Sequence, residues 1–113
     1  MATTTTPKAP APAGLSLKGL PPVHPGEILR EIVLPALGRP KTEIAQLLGV
    51  SRQTLYDLLD GKQAVTAVMA LRLGKLCGNG PDIWINLQTA HDLRQAREAL
   101  GDEIDRIPTL EAA

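Results

Sequence analysis

The stretch Ile44-Ala45-Gln46-Leu47-Leu48-Gly49-Val50-Ser51-Arg52-Gln53-Thr54-Leu55-Tyr56-Asp57-Leu58-Leu59 decides the fold. Ile44, Ala45, Leu47 and Leu48 recur at helical spacing and are expected inward, and Gly49 is the residue that most readily takes the left-handed conformation ending a helix. Val50 plugs the turn. Ser51 is a strong N-cap for a second short helix, whose inward residues are Leu55, Leu58 and Leu59 and which Gly61 closes. A small Ala45 lets the two helices approach, and Val50 with Leu55 seals the angle between them. The pattern predicts a helix-turn-helix over residues 40–61.

The outer face of the second helix is polar. At 100° per residue from Arg52, Leu55, Leu58 and Leu59 cluster around about 300°, leaving Gln53, Asp57 and Asp60 opposite, with Arg52 and Tyr56 flanking. Arg52 suits guanine O6 and N7, Gln53 suits adenine N6 and N7, and Tyr56 is grouped with them as a base-reading candidate. Asp57 either accepts from cytosine N4 or orients Arg52 or Gln53. Candidates for phosphate contact are Arg39, Lys41, Ser51, Thr54 and Lys62. Between Arg39 and Lys62 the formal charges are four positive and three negative, so only a sorted distribution makes a positive face. The blander reading is a set of ordinary solvated charges on a helical domain.

Working outward, Pro25 suits a first helical turn, Glu27 complements its dipole, and Ile28, Leu29, Ile32 and Val33 share a face, giving helix 1 with a stop near Pro35. Thr66 caps helix 4, with Ala70, Leu71, Leu73 and Leu76, ending at Gly78-Asn79-Gly80. Pro81 opens helix 5, expected from Asp82 to about Leu100, with Ile83, Trp84, Leu87, Ala90 and Leu93 apolar and Gly101 as its end. Residues 1–22 hold five of the ten prolines and four consecutive threonines, without a helical or strand period, and are expected to be a flexible tail. The domain is placed at 23–101 and a coda at 102–113. Ile104, Ile107 and Leu110 of the coda pack back on the domain or onto a second subunit.

Composition sets bounds on function. With 113 residues there is room for one core, single domains usually running about 100–200 residues. Twelve Lys and Arg cancel twelve Asp and Glu, so no long-range field favours nucleic acid or membrane, and any DNA contact must come from a local patch. There is no Phe, and Tyr56 and Trp84 are the large aromatics, so a core of aliphatic residues packed between helices is expected. A single cysteine, Cys77, makes neither an internal disulfide nor a multi-thiolate site, and reads as a small buried hydrophobe. No signal peptide or apolar span of membrane length is seen, so a cytoplasmic location is expected. No nucleophile has a base and orienter, and no phosphate loop or metal motif occurs. The expectation is a non-enzyme without cofactor or metal. His24 is expected to cap helix 1 or pack on helix 5. Trp84 is expected in the core rather than on a partner surface, and Asn86 as a helix-to-backbone hydrogen bonder.

The residues His24-Pro25-Gly26-Glu27-Ile28-Leu29, Leu47-Leu48-Gly49-Val50-Ser51-Arg52, Gly61-Lys62, Ala70-Leu71-Arg72-Leu73 and Trp84-Ile85-Asn86-Leu87-Gln88 occur in this order from His24 to Leu100. In this the chain resembles the HigA-type antitoxins of bacterial toxin-antitoxin modules, a branch of the Xre/Cro-repressor-like helix-turn-helix proteins. The helix-turn-helix alone is weakly specific; the opening His-Pro-Gly-Glu and the late Trp-x-Asn-Leu-Gln are more so. The resemblance implies an all-α, five-helix lambda-repressor-like domain that forms a homodimer and binds a palindromic operator in double-stranded DNA. It also implies neutralisation of a cognate toxin, a RelE-like, ribosome-dependent mRNA endonuclease. The family's base-reading positions fall on Arg52, Gln53 and Asp57, with Ser51, Lys41 and Lys62 near the backbone. One departure is Pro40, where relatives often carry Ser or Thr as the cap of helix 2. A single helix-turn-helix covers one half-site, so a dimer surface is required and is placed on helix 5 and the coda; the alternative is a solvated exit from the domain. Two other functional readings stay open: a stand-alone Xre-type repressor without a toxin, and a protein-interaction module that keeps the helix-turn-helix as a scaffold.

Overall fold

The computed structural model describes residues 23–112; the tail expected over 1–22 lies outside the described residues. Five helices follow one another with no strand among the described residues: α1 (residues 25–37), α2 (Lys41–Leu48), α3 (Arg52–Leu59), α4 (Ala67–Cys77) and α5 (Pro81–Asp105). No helix among them is long and apolar enough to cross a membrane.

Helix α1 does not stop near Pro35. It begins as an α-helix over Pro25–Ile28, widens into a π turn over Leu29–Val33 and resumes as an α-helix over Leu34–Leu37, the Leu34 N–H donating to the Leu29 carbonyl. Proline lacks an N–H and its ring collides with the carbonyl four residues back; the widened turn just ahead of Pro35 relieves both. The extra residue per turn also moves the inward stripe. Ile28 and Leu29 are followed inward by Val33 and Leu34, five residues on, while Ile32, expected inside, is exposed.

Ser51 and Thr66 cap α3 and α4 as expected, each side-chain oxygen accepting from the backbone N–H three residues on. Leu55, Leu58 and Leu59 are buried together, against Ile44, Ala45 and Leu48 of α2 and Ala70 and Leu73 of α4. Two residues expected inward are not: Leu47 is 56% exposed and Leu71 is 61% exposed. Helical periodicity marks an apolar sector, but the residue at its edge faces whatever lies beside the core, which here is solvent.

Trp84 is fully buried and its indole Nε1 donates to Asn79 Oδ1 at 3.0 Å, so this ring belongs to the core with its polar end satisfied. Asn86 is exposed and makes no side-chain hydrogen bond among the described residues. Cys77 is buried in the last turn of α4, and burial pushes its thiol up to about 11.

Helix α5 overruns its expected end. Gly101 sits inside it, and the chain turns only after Asp105, ahead of Pro108. Glycine within a helix costs about 1 kcal/mol against alanine, which is too little to stop a helix already built, whereas the residue before a proline is driven out of helical geometry. The last buried residue of α5 is Gln88. Leu93, Leu100, Ile104, Ile107 and Leu110 are all exposed, so the coda does not pack back on its own domain.

Candidate nucleic-acid interface

Helix α3 is capped at its start by Ser51 and gripped at its far end by α1, while α4 and α5 fix the turn before it and the loop after it. At its start the Ser51 hydroxyl accepts from the Thr54 N–H at 3.0 Å and donates to Thr54 Oγ1 at 2.9 Å. The Ser51 and Thr54 hydroxyls are therefore both engaged within the cap. At its far end Gly61 (φ +74°) reverses the chain, Lys62 N–H donating to the Asp57 carbonyl at 2.8 Å. Arg30 of α1 reaches across to donate to the Leu59 carbonyl at 3.1 Å. Gly26 of α1 abuts the same end: a Cβ there would stand 1.8 Å from the Leu58 carbonyl oxygen, so only glycine permits this approach.

The turn before α3 is fixed as firmly. Gly49 (φ +75°) lets Val50 N–H donate back to the Ala45 carbonyl at 3.0 Å and Gly49 N–H to the Gln46 carbonyl at 3.1 Å. The Leu48 carbonyl, beyond the reach of the helix's own donors, accepts from Arg72 Nη1 of α4 at 2.7 Å. Further on, Gln88 of α5 accepts from the Val65 N–H at 2.8 Å and donates to Asp92 at 3.0 Å, tying down the loop that follows α3. Periodicity gave Arg30, Arg72 and Gln88 no role. Arg72 and Gln88 lie in the runs that carry the family resemblance, but nothing in spacing reveals what the end of a long side chain touches.

On the outward face Arg52, Gln53 and Tyr56 are exposed and Asp57 is half-buried. Gln53 Nε2 donates to Asp57 Oδ1 at 2.8 Å, so of the two residues that Asp57 was expected to orient it is Gln53 that it holds. Lys41 Nζ lies 5.8 Å from the centre of the Tyr56 ring, which brings the start of α2 beside the outer face of α3. Lys62 is exposed just past the end of α3. Arg39 differs from Lys41, Arg52 and Lys62 in pairing with an acidic side chain, Glu43, four residues on. Beside Gly61, past the far end of α3, His24 is both cap and packing residue: its Nδ1 accepts from the Gly26 N–H at 2.9 Å, and its ring meets the edge of His91 on α5 at 5.1 Å. Among the described residues no group of three His, Cys, Asp or Glu side chains is placed to hold a metal ion.

No protein-family model matches the chain. It is 38% identical over 79 residues to virulence-associated protein I of Dichelobacter nodosus, covering 70% of this chain and 73% of that one. It is 35% identical over 82 residues to antitoxin HigA-1 of Vibrio cholerae, covering 73% and 77%. A solved structure of antitoxin GraA in complex with its operator superposes with a TM-score of 0.73 at 41% identity, over 87% of this chain and the whole of that one. The likeness runs through the helix-turn-helix and on into α5, and with it the chain belongs to the HigA-type antitoxins, a branch of the helix-turn-helix transcriptional regulators.

Proposed function

We propose that the chain is a dimeric antitoxin that represses its own operon. Two copies of α3 enter successive major grooves of a palindromic operator, where Arg52, Gln53 and Tyr56 meet base edges and Asp57 sets the Gln53 amide. Lys41, Lys62, Thr54 and the backbone N–H groups after Ser51 hold phosphates, and Arg39 contributes only once it leaves Glu43. The observation that carries this reading is the division of α3. Its three leucines are buried, its outer stripe is polar and exposed, and both of its ends are anchored, so the stripe is presented rigidly to a partner. The operator complex of GraA supports the same use of the fold.

The second copy meets the first along α5. Leu93, Leu100 and Ile104 are exposed, lie within about 40° of one another at 100° per residue, and stand beyond the last buried residue of the helix. Neutralisation of a cognate RelE-like mRNA endonuclease is stoichiometric binding on a surface away from α3, in the bacterial cytoplasm where operator and toxin both reside. The test has two arms. Gel-shift titration with the gene's own promoter gives a sequence-dependent complex that a scrambled duplex does not; equal binding to both defeats the operator reading. Co-expression with the adjacent small gene restores growth, and a toxin–antitoxin–DNA ternary complex forms. Failure of rescue leaves a stand-alone repressor, and strict competition between DNA and toxin places the toxin on α3.

A further inference from the structure

Residues 23–113, which include the whole helix-turn-helix, hold ten Lys and Arg against twelve Asp and Glu, a net negative charge to bring against a polyanion. Residues 1–22 restore neutrality, since they contain Lys8 and Lys18 and no Asp or Glu. The point where this segment joins the domain is fixed at the far end of α3. Val23 packs against the core, and the His24 ring lies against Gly61, its Cγ 3.7 Å from where a Cβ on that glycine would stand. The residue after Gly61 is Lys62, the phosphate candidate at that end of α3. We propose that residues 1–22 act as an arm that follows the operator duplex outward from the end of α3, with Lys8 and Lys18 holding phosphates. The inference rests on the operator reading above and adds a contact outside the helix-turn-helix.

The reach suffices. Lys18 stands five residues before Val23, at most about 18 Å of chain, and Lys8 fifteen residues before it, at most about 55 Å. Each strand of a duplex carries one phosphate per about 3.4 Å of axis, so 18 Å from the end of α3 takes in about five phosphates of one strand. The longer reach exceeds the roughly 34 Å between half-site centres. Acids of the domain itself are weaker partners. Glu27 and Glu98 line a cavity beside Val23, but Arg94 lines it too and lies 3.7 Å from Glu98. Exposed ion pairs are worth about 0–1 kcal/mol, whereas a duplex is an unbroken line of charge that releases counterions for each lysine it takes up.

Salt dependence tests the arm in the full chain. Parent, Lys8→Ala/Lys18→Ala and Lys8→Arg/Lys18→Arg, which keeps both charges, are titrated against the gene's own promoter duplex and an unrelated duplex. The slope of log affinity against log salt should become shallower by about 1.8 on both duplexes in the alanine variant, about 0.9 for each lysine. Between 50 and 200 mM salt the parent then loses about 12-fold more affinity than the alanine variant. The arginine variant keeps the parental slope, and all three chains melt at the same temperature without DNA. A parent that prefers its promoter while the alanine variant keeps the full slope overturns the arm and leaves the operator reading standing. A full slope together with a weakened toxin complex assigns the segment to the toxin and likewise overturns the arm. A slope lowered equally in the arginine variant, or a lowered melting temperature in the alanine variant, shows that the lysines act through the fold and overturns it too. A parent that binds both duplexes equally defeats the operator reading instead, and the slopes of parent and alanine variant still decide whether the arm holds DNA.

Discussion

Gln53 and Asp57 are joined across one turn of α3, the Gln53 amide nitrogen donating to the Asp57 carboxylate at 2.8 Å on the face turned away from the leucines. A glutamine reads adenine by offering donor and acceptor in one plane, so fixing one end of its amide fixes what it presents. Gln53→Ala is expected to weaken operator binding by about 1–3 kcal/mol, or about 5- to 150-fold, and to relax preference at one base pair. Asp57→Ala should blur preference at that same base pair while leaving a larger share of the affinity. Titration against single-base operator variants checks this, and an equal fall on every variant removes both residues from base reading.

Arg72 is expected to act on DNA binding without touching DNA. Its guanidinium occupies the carbonyl at the end of α2, and a Cβ on Gly49 would stand 2.6 Å from Nη1, so side chain and glycine fit each other. Hydrogen bonds from charged donors are worth about 1.5–3 kcal/mol, and this exposed arginine belongs at the low end. Arg72→Ala should lower the melting temperature by several degrees and speed amide exchange at Gly49 to Arg52. Arg72→Lys, which keeps the charge but loses the planar fork, should recover only part. Unchanged exchange in the turn would show that Gly49 and Ser51 suffice to hold it.

The helix-turn-helix was legible because each of its signals is local: Gly49 and Gly61 mark reversals, Ser51 a cap, and three leucines a face. The misreadings have equally specific causes. Pro35 predicts a stop only if the preceding turn is a regular α turn; once a π turn precedes it, the helix continues and Ile32 exchanges its place with Leu34. Gly101 was read as an end although nothing beyond it breaks a helix before Pro108. Leu47 and Leu71 were read as core because periodicity cannot separate a residue facing the domain's own interior from one facing a groove at its edge. The outer stripe of α3 was visible, but its pairing was not: the choice of Gln53 as partner of Asp57 depends on rotamers. The latches from Arg30, Arg72 and Gln88 join residues 23 to 29 positions apart in sequence.

Gly26 is the tightest approach between α1 and α3. Gly26→Ala drives a methyl group into the Leu58 carbonyl, and neither backbone can yield without moving His24 or the end of α3. Overpacking of this kind costs about 1–3 kcal/mol. The expected result is a lower denaturation midpoint in urea with an unchanged slope, together with weaker operator binding because the end of α3 shifts. A variant as stable as the parent would show that α1 slides freely on α3.

Lys62 follows α3 directly, its backbone pinned to Asp57 and its side chain exposed. A phosphate contact carries no sequence information, so Lys62→Ala should weaken binding to operator and unrelated duplex by the same factor. The slope of log affinity against log salt should fall by about 1. An unchanged slope with a base-specific loss would move Lys62 from the phosphate set to the reading set.

His24 makes stability depend on pH. Burial, then the neighbouring His91 ring, lowers its proton affinity below the usual 6.5, against the opposing pull of the Asp92 carboxylate and the Gln63 carbonyl. The folded state therefore favours the neutral ring, whose Nδ1 accepts from the Gly26 N–H and caps α1. Above pH 6.5 the ring is neutral in both folded and unfolded chains, and this stabilisation is complete. As pH falls below 6.5 the unfolded chain takes up the proton first, and stability is lost down through the lowered value of the folded state. His24→Asn keeps a side-chain acceptor at the cap and removes the titration. Melting temperatures taken from pH 7.5 to 5.0 should fall more steeply for the parent than for His24→Asn, and parallel curves would show that the proton is taken up elsewhere.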